Sequence, residues 1–70
     1  MKYRIVRYVH LERDSQLTET GYHLGYRDTL QESLELIISD MSTNKGIISK
    51  YEISVDDNLM NVVGIIRSEG

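Results

Sequence analysis

Carboxylates are the residues of this chain whose type and spacing could do chemistry, and they form two groups. No Lys or Arg interrupts the stretch from Asp28 to Asn44, which holds the first group. The two groups are Asp28, Glu32, Glu35 and Asp40, followed by Glu52, Asp56 and Asp57. Such a surface attracts basic proteins as phosphates do, so it predicts a DNA mimic that binds a basic partner. A solvated helix face with ordinary solubility charges is the alternative interpretation.

Catalytic, metal-binding and cofactor-binding motifs do not occur in the sequence. The chain has no Cys, and His10 and His23 lie thirteen residues apart without a third ligand at metal-binding spacing. The serines lack the context of a nucleophile elbow, and the segment 21–25 lacks the Lys of a phosphate-binding loop. We therefore expect a protein that is not an enzyme and that uses no cofactor and no metal.

The size of the chain limits its stability. A domain of 70 residues buries only about 60% of its unfolded surface. Small domains add disulfides, a metal or a second subunit, and the first two have no support in the sequence. We expect a single domain, residues 1–70, that forms a homodimer. Without a long apolar run or a signal-peptide core, the expected location is the cytoplasm, with no membrane contact.

The apolar pattern predicts an α+β fold in the order ββαββ, an antiparallel-type sheet with one helix on one face. Alternating residues predict a long first strand over 2–12 and a short second strand over 22–26. A polar loop is expected over 13–20. Gly21 and Gly25 mark a bend or a β-bulge in the second strand.

The helix is predicted to begin after an N-cap at Asp28, with Gln31 completing a capping-box-like pair, and to end near Ser42. Asn44 and Gly46 are available for a left-handed cap behind it. The core stripe is expected to comprise Leu30, Leu34, Ile37 and Met41, with Ile38 beside it. On this assignment an exposed Leu36 lies on the acidic side as an anchor. The predicted partner-binding residues are Asp28, Glu32, Glu35, Leu36, Asp40, Glu52, Asp56 and Asp57.

Two further strands follow, over 47–55 and 59–67, joined by a hairpin turn at 56–58. The fourth strand is apolar on both faces, which is typical of a central strand or of one that another chain covers. One helix cannot cover both sheet faces, so an open-face apolar patch is expected at Val6, Tyr8, Met60, Val62 and Ile66. A second copy pairing through sheet faces or edges, or the loop 13–20, would cover it.

The first strand supports a rival interpretation. Lys2, Arg4 and Arg7 alternate with Tyr3 and Tyr8, and the first ten residues contain no carboxylate. Arg and Tyr side chains on a sheet can stack on and contact a single-stranded nucleic acid. The alternative is an edge strand guarded by charge.

Two resemblances add to this reading. The acidic groups on a short chain without Cys resemble the small acidic early proteins of lytic Bacillus phages that inhibit the host nucleoid protein HU. That resemblance implies a nucleoid-associated inhibitor that covers the DNA-binding surface of its target. The strand 2–12 and the segment 28–35 are similar to half of the HicB-type antitoxins, which block a basic toxin, although the chain lacks their Pro-rich connecting segment.

Overall fold

The computed structural model describes residues 2–13, 16–56 and 58–69 and confirms the predicted ββαββ order of an α+β fold. The elements are β1 (Tyr3–Arg13), β2 (Gln16–Arg27), α1 (Leu30–Thr43), β3 (Ile48–Val55) and β4 (Asn58–Glu69).

The described strands form one antiparallel sheet in the order β2-β1-β3-β4. Because β2 and β3 both run antiparallel to β1, they are parallel to each other, and α1 crosses one sheet face to connect them. The two edges are β2 and β4. Of the two surroundings expected for the fourth strand, a central position in the sheet is therefore excluded.

The predicted loop over 13–20 is wrong, because β2 already begins at Gln16 and pairs there with Arg13. Thr18 and Thr20 continue the pairing, opposite Leu11 and Val9. Threonine favours strands, and an edge strand can leave polar side chains in water. Polarity alone therefore does not distinguish this strand from a loop.

A β-bulge in β2 confirms the irregularity that its glycines predicted. Ile5 pairs with Gly25 and Val6 with His23, so Leu24 is an extra residue without an opposite partner. Gly25 has φ +147°, which L-residues with side chains rarely adopt. The bulge lets Leu24 pack against the core, although the sequence pattern alone does not locate the extra residue.

The core lies between α1 and the helix side of the two central strands. Ile5, Ile37, Tyr51 and Ile53 form its buried centre. Partly buried side chains surround this centre: Tyr3, Leu24, Leu36, Met41 and Ile66. The helix packs mainly over β1 and β2, so β4 lies outside its main contacts.

The helix presents a different face to the core from the one predicted. Ile37 is 1% exposed, as expected, but its neighbour in the core is Ser33, whose hydroxyl donates to the Thr29 carbonyl at 2.9 Å. Leu34 is 42% exposed, and Leu30 is similarly exposed. The predicted stripe is wrong at these two leucines because inward-facing polar side chains found hydrogen-bond partners, which hydrophobic periodicity does not register.

The helix termini are each one residue later than predicted. Thr29, not Asp28, is the N-cap: its hydroxyl accepts from the Glu32 backbone N–H at 3.1 Å and donates to the Glu32 carboxylate at 2.9 Å. Asn44 is the C-cap, and its backbone N–H donates to the Asp40 carbonyl. Gly46 takes a left-handed conformation at φ +87°, as its position predicted.

The open face of the sheet is not the apolar patch that the sequence predicts. Ile66 pairs with Tyr51 and lies on the helix side, while Val6 is buried. Tyr8 is half-buried, and the Lys50 ammonium lies over its ring, 5.1 Å from the ring centroid. Of the expected members, Met60 is fully open to solvent, at 92% exposure.

The helix orientation gives a stability prediction. Ile37→Ala should lower the free energy of unfolding by about 2–5 kcal/mol, because it opens a cavity in the core. Leu34→Ala should lower it by less than about 1 kcal/mol, because Leu34 is half in water. Urea denaturation followed by circular dichroism measures both values. The reverse order would contradict this helix orientation.

Candidate partner-binding surface

The outer face of α1 carries three of the predicted partner-binding residues. Asp28 lies just before the helix, and Glu32 and Glu35 lie on its first two turns, all three exposed. Glu35 accepts a hydrogen bond from Gln31 at 3.4 Å. Among the described residues, none of the three carboxylates takes part in a salt bridge. The outer helix face therefore remains acidic after folding.

Two further predicted residues, Leu36 and Asp40, do not belong to that face. Leu36 is partly buried and packs against the core centre, so its assignment as an exposed anchor is wrong. Asp40 points beneath the helix, where its Oδ2 lies 2.8 Å from Arg7 Nη1. Both corrections follow from the same rotation of the helix about its axis.

Asp40 is the centre of a polar network that joins three elements. Its Oδ2 accepts from Arg7 of β1 and from the Tyr51 hydroxyl of β3, each at 2.8 Å. The Arg7 guanidinium also lies over the Tyr22 ring, 4.9 Å from its centroid. Charge-assisted bonds in this partly desolvated position are stronger than surface ion pairs. This network holds the fold together, and because Asp40 and Arg7 are paired with each other, neither charge is available to a binding partner.

The network perturbs the pKa of its tyrosine. Burial first, and then the hydrogen bond to the Asp40 carboxylate, together raise the pKa of Tyr51 from 10.0 to about 12. Ionising this phenol would leave an anion facing a carboxylate. The group therefore serves as a neutral hydrogen-bond donor at physiological pH.

Glu52 lies on the opposite face of the sheet from the packed helix. Its carboxylate is 3.5 Å from Lys50, which also lies 4.0 Å from Glu19. Glu19 in turn contacts His10 Nε2 at 2.7 Å. Glu52 was predicted to form a second acidic group with Asp56 and Asp57. It does not add to the acidic face of the helix, because it is paired with Lys50 on the opposite face of the sheet.

The β3–β4 hairpin holds the last predicted residues. Asp56 is exposed, with φ +52°, and its Oδ1 accepts from the Lys2 backbone N–H at 3.3 Å. The pairing of Val55 with Asn58 confirms the predicted hairpin turn. Asp57 lies outside the described residues.

Sequence reasoning missed an aliphatic row on α1. Leu30, Leu34 and Ile38 recur at four-residue intervals and are exposed, Ile38 at 62%. Ile38 is the i+3 neighbour of Glu35, so the row borders the acidic face. The residues were assigned to the core because hydrophobic spacing favours burial. The polar residues Ser33 and Asp40, which occupy the inner face, are the signal for the observed orientation, with the aliphatic row outward.

The basic first strand is divided by the pleat. Arg4 and Tyr8 lie on the open face, while Arg7 is held beneath the helix by Asp40. A shallow pocket of about 380 Å³ lies on the sheet near Tyr8. It is lined by His10, Ile48, Ser49, Lys50, Arg67 and Ser68. The predicted basic residues were Lys2, Arg4 and Arg7. In the structure Arg7 is not accessible on the open face, and the cations that line the pocket there are Lys50 and Arg67.

Metal-ligand clusters of three or more His, Cys, Asp or Glu do not occur among the described residues. Over the same part of the chain, α1 falls short of the length and apolar character of a bilayer-spanning helix.

The raised pKa of Tyr51 predicts a stability loss in alkali. Because the folded-state pKa lies above the unfolded value, this contribution is complete below pH 10 and is lost as the pH rises towards 12. Between these limits the wild type should lose about 2 kcal/mol more unfolding free energy than Tyr51→Phe, which has no phenol to ionise. Urea titrations at stepped pH, followed by circular dichroism, test this. Parallel losses in the two proteins would contradict it.

Comparisons with protein-family models, curated proteins and solved structures find no match for this chain.

Proposed function

We propose that this protein is a non-catalytic inhibitor that binds the basic surface of a bacterial DNA-binding protein through the outer face of α1 and excludes DNA from it. The observation that carries the proposal is the exposed trio of Asp28, Glu32 and Glu35, with no described cation paired to it. A nucleoid protein of the HU type is the preferred partner, and the cytoplasm of a bacterial cell, at the nucleoid, is the proposed location.

The electrostatics of the chain favour this face over the other acidic positions. Asp40 and Glu52 are offset by Arg7 and Lys50. Salt does not fully screen charges closer than one Debye length, which is about 8 Å at physiological ionic strength, so the carboxylates on α1 attract any cation that docks on them. This face therefore presents a basic protein with a short line of negative charge, as a phosphate backbone does.

The aliphatic row gives the same face an apolar component. Carboxylates steer the encounter and set its salt dependence, but burial of apolar area slows dissociation. Leu34 and Ile38 are positioned for that second role, because both are exposed, Ile38 borders Glu35, and Leu34 lies beside Ile38 one turn earlier. The anchor that the sequence assigned to Leu36 is thus reassigned to these two side chains.

The first test is calorimetry with a purified HU-type protein, with and without duplex DNA. We expect binding that weakens steeply with salt and competes with the DNA.

Reversing the charge of the pair Glu32 and Glu35 to Lys should slow association and flatten the salt dependence. Leu34→Ala should raise the dissociation rate by a factor worth about 1–2 kcal/mol.

Glu19→Lys is the matched control for Glu35→Lys, because it makes the same change in net charge on the other side of the sheet. Association should slow markedly for Glu35→Lys and little for Glu19→Lys. Equal effects would mean that net charge, and not this face, drives the encounter. A ternary complex with DNA bound at the same site would exclude mimicry.

A second candidate function is binding of a single-stranded nucleic acid on the open face. It is favoured by the pocket that Lys50 and Arg67 line, next to the Tyr8 ring. Arginine and aromatic side chains on a sheet contact phosphates and bases together. Glu19 and Glu52 oppose it, since they partly neutralise Lys50.

Fluorescence anisotropy with labelled oligonucleotides tests the second candidate. If it holds, Arg67→Ala should weaken binding several-fold, whereas Lys45→Ala, which removes a cation from the turn after α1, should not. Tight binding of oligonucleotides would promote this candidate over the inhibitor. No measurable binding at low salt would exclude it.

A further inference from the structure

β4, whose first nine residues are uncharged, lies at an edge of the sheet. From Asn58 to Ile66 the sequence of β4 contains no charged residue, and Arg67 is the first. Among the described strands, none lies beside the outer side of β4. Its outward backbone N–H and C=O groups therefore lack strand partners within the sheet. Long, uncharged edges of this kind pair with other strands unless charges, prolines or bulges prevent it.

The side chains of β4 add apolar area to this edge. Met60 is 92% exposed and Ile65 55%, and Val63 is also exposed. These residues are too open to contribute much to the core of a single copy. Exposed apolar area concentrated on one element marks an interaction site.

The opposite edge carries charges that the first nine residues of β4 lack. Charged side chains on β2 include Glu19 and Arg27. Both edge strands have register irregularities on their inner pairings, at Leu24 in β2 and opposite Ile53, Ser54 and Val55 in β4, so these irregularities do not distinguish the edges. The difference in charge makes β4 the edge more open to strand addition.

We propose that a second copy of this chain pairs with β4, antiparallel and about a two-fold axis, so that two four-stranded sheets become one continuous sheet of eight strands. The proposal goes beyond the inhibitor function and does not rest on it. The binding face on α1 lies on the helix side and stays free in such a dimer.

Self-complementarity argues for a second copy as the occupant. An isologous antiparallel pairing centred on Val62 sets the uncharged segment 58–66 against itself, with residue 58 opposite residue 66, so no like charges face each other. The antiparallel arrangement also brings Arg67 of one copy to the end of the strand where Asp56 of the second copy is exposed. A basic or acidic partner strand would find no matching charge along 58–66.

The length of β4 allows pairing along most of one side of the molecule. A strand of 12 residues at about 3.4 Å each is about as long as the longest dimension of the molecule, 41 Å.

Distances between spin labels test the geometry. One row across the four strands comprises Tyr26, Arg4, Ser54 and Val62. With no native Cys in the chain, Val62→Cys and Tyr26→Cys each provide a single labelling site. Pairing through β4 about an axis at Val62 predicts a label separation within about 15 Å at position 62 and about 35 Å at position 26, which is seven strand spacings. A long separation at position 62 overturns the proposal, whatever the separation at position 26.

Sedimentation equilibrium tests the same edge by mass. The wild type should approach twice 8.1 kDa at micromolar concentration. Val63→Lys should weaken self-association at least about tenfold, because it places two like charges within about 10 Å of each other across the axis. Ile38→Lys is the matched control on the helix, also exposed, and should leave the dimer intact. A wild-type monomer at high concentration, or a dimer abolished by Ile38→Lys and not by Val63→Lys, contradicts pairing through β4. Circular dichroism confirms that each variant is folded.

Discussion

The position of one carboxylate, Asp40, constrains much of this small structure. It binds Arg7 and Tyr51 and so ties the helix to both central strands, which are otherwise held only by a thin layer of apolar contacts. A partly buried carboxylate must keep its partners, because removing one from a buried pair costs about 3–5 kcal/mol. The helix therefore turns Asp40 and Ser33 inward, and in consequence Leu34 and Ile38 turn outward.

This polar anchor explains where sequence reasoning succeeded and where it failed. The ββαββ order, the bulge near Gly25 and the turn after Val55 follow from alternation, glycine placement and turn chemistry, which act locally. The helix orientation depends on Arg7 and Tyr51, which lie far from Asp40 in the sequence. Hydrophobic periodicity treats an aspartate as a surface residue, so it could not have found this orientation.

The extent of β2 was missed, and the position of β4 stayed open, for a different reason. Residues 16–20 are polar because they form part of an edge strand, and an edge strand in water has the composition of a loop. The order of strands depends on which strands pair, and no local pattern specifies it. The apolar pattern of β4 is typical both of a central strand and of a strand that another chain covers, so the sequence could not choose between them.

The candidate site changed through the same tertiary pairings. Asp28, Glu32 and Glu35 are exposed because they lie before or on the first two turns of the helix, on the side away from the core. Asp40 is paired with Arg7 from β1, whereas Glu52 is paired with Lys50, two residues earlier on its own strand. Sequence can identify a stretch without cations, but it cannot show which carboxylates cations from elsewhere in the chain will neutralise.

The charges on β2 have a consequence for how far assembly can proceed. A sheet with two equally receptive edges can add copies at both sides and grow into a fibre. β2 carries Glu19 and Arg27, whereas β4 is uncharged from Asn58 to Ile66. In the proposed pairing through β4, each copy therefore offers one receptive edge, and a single two-fold contact saturates it.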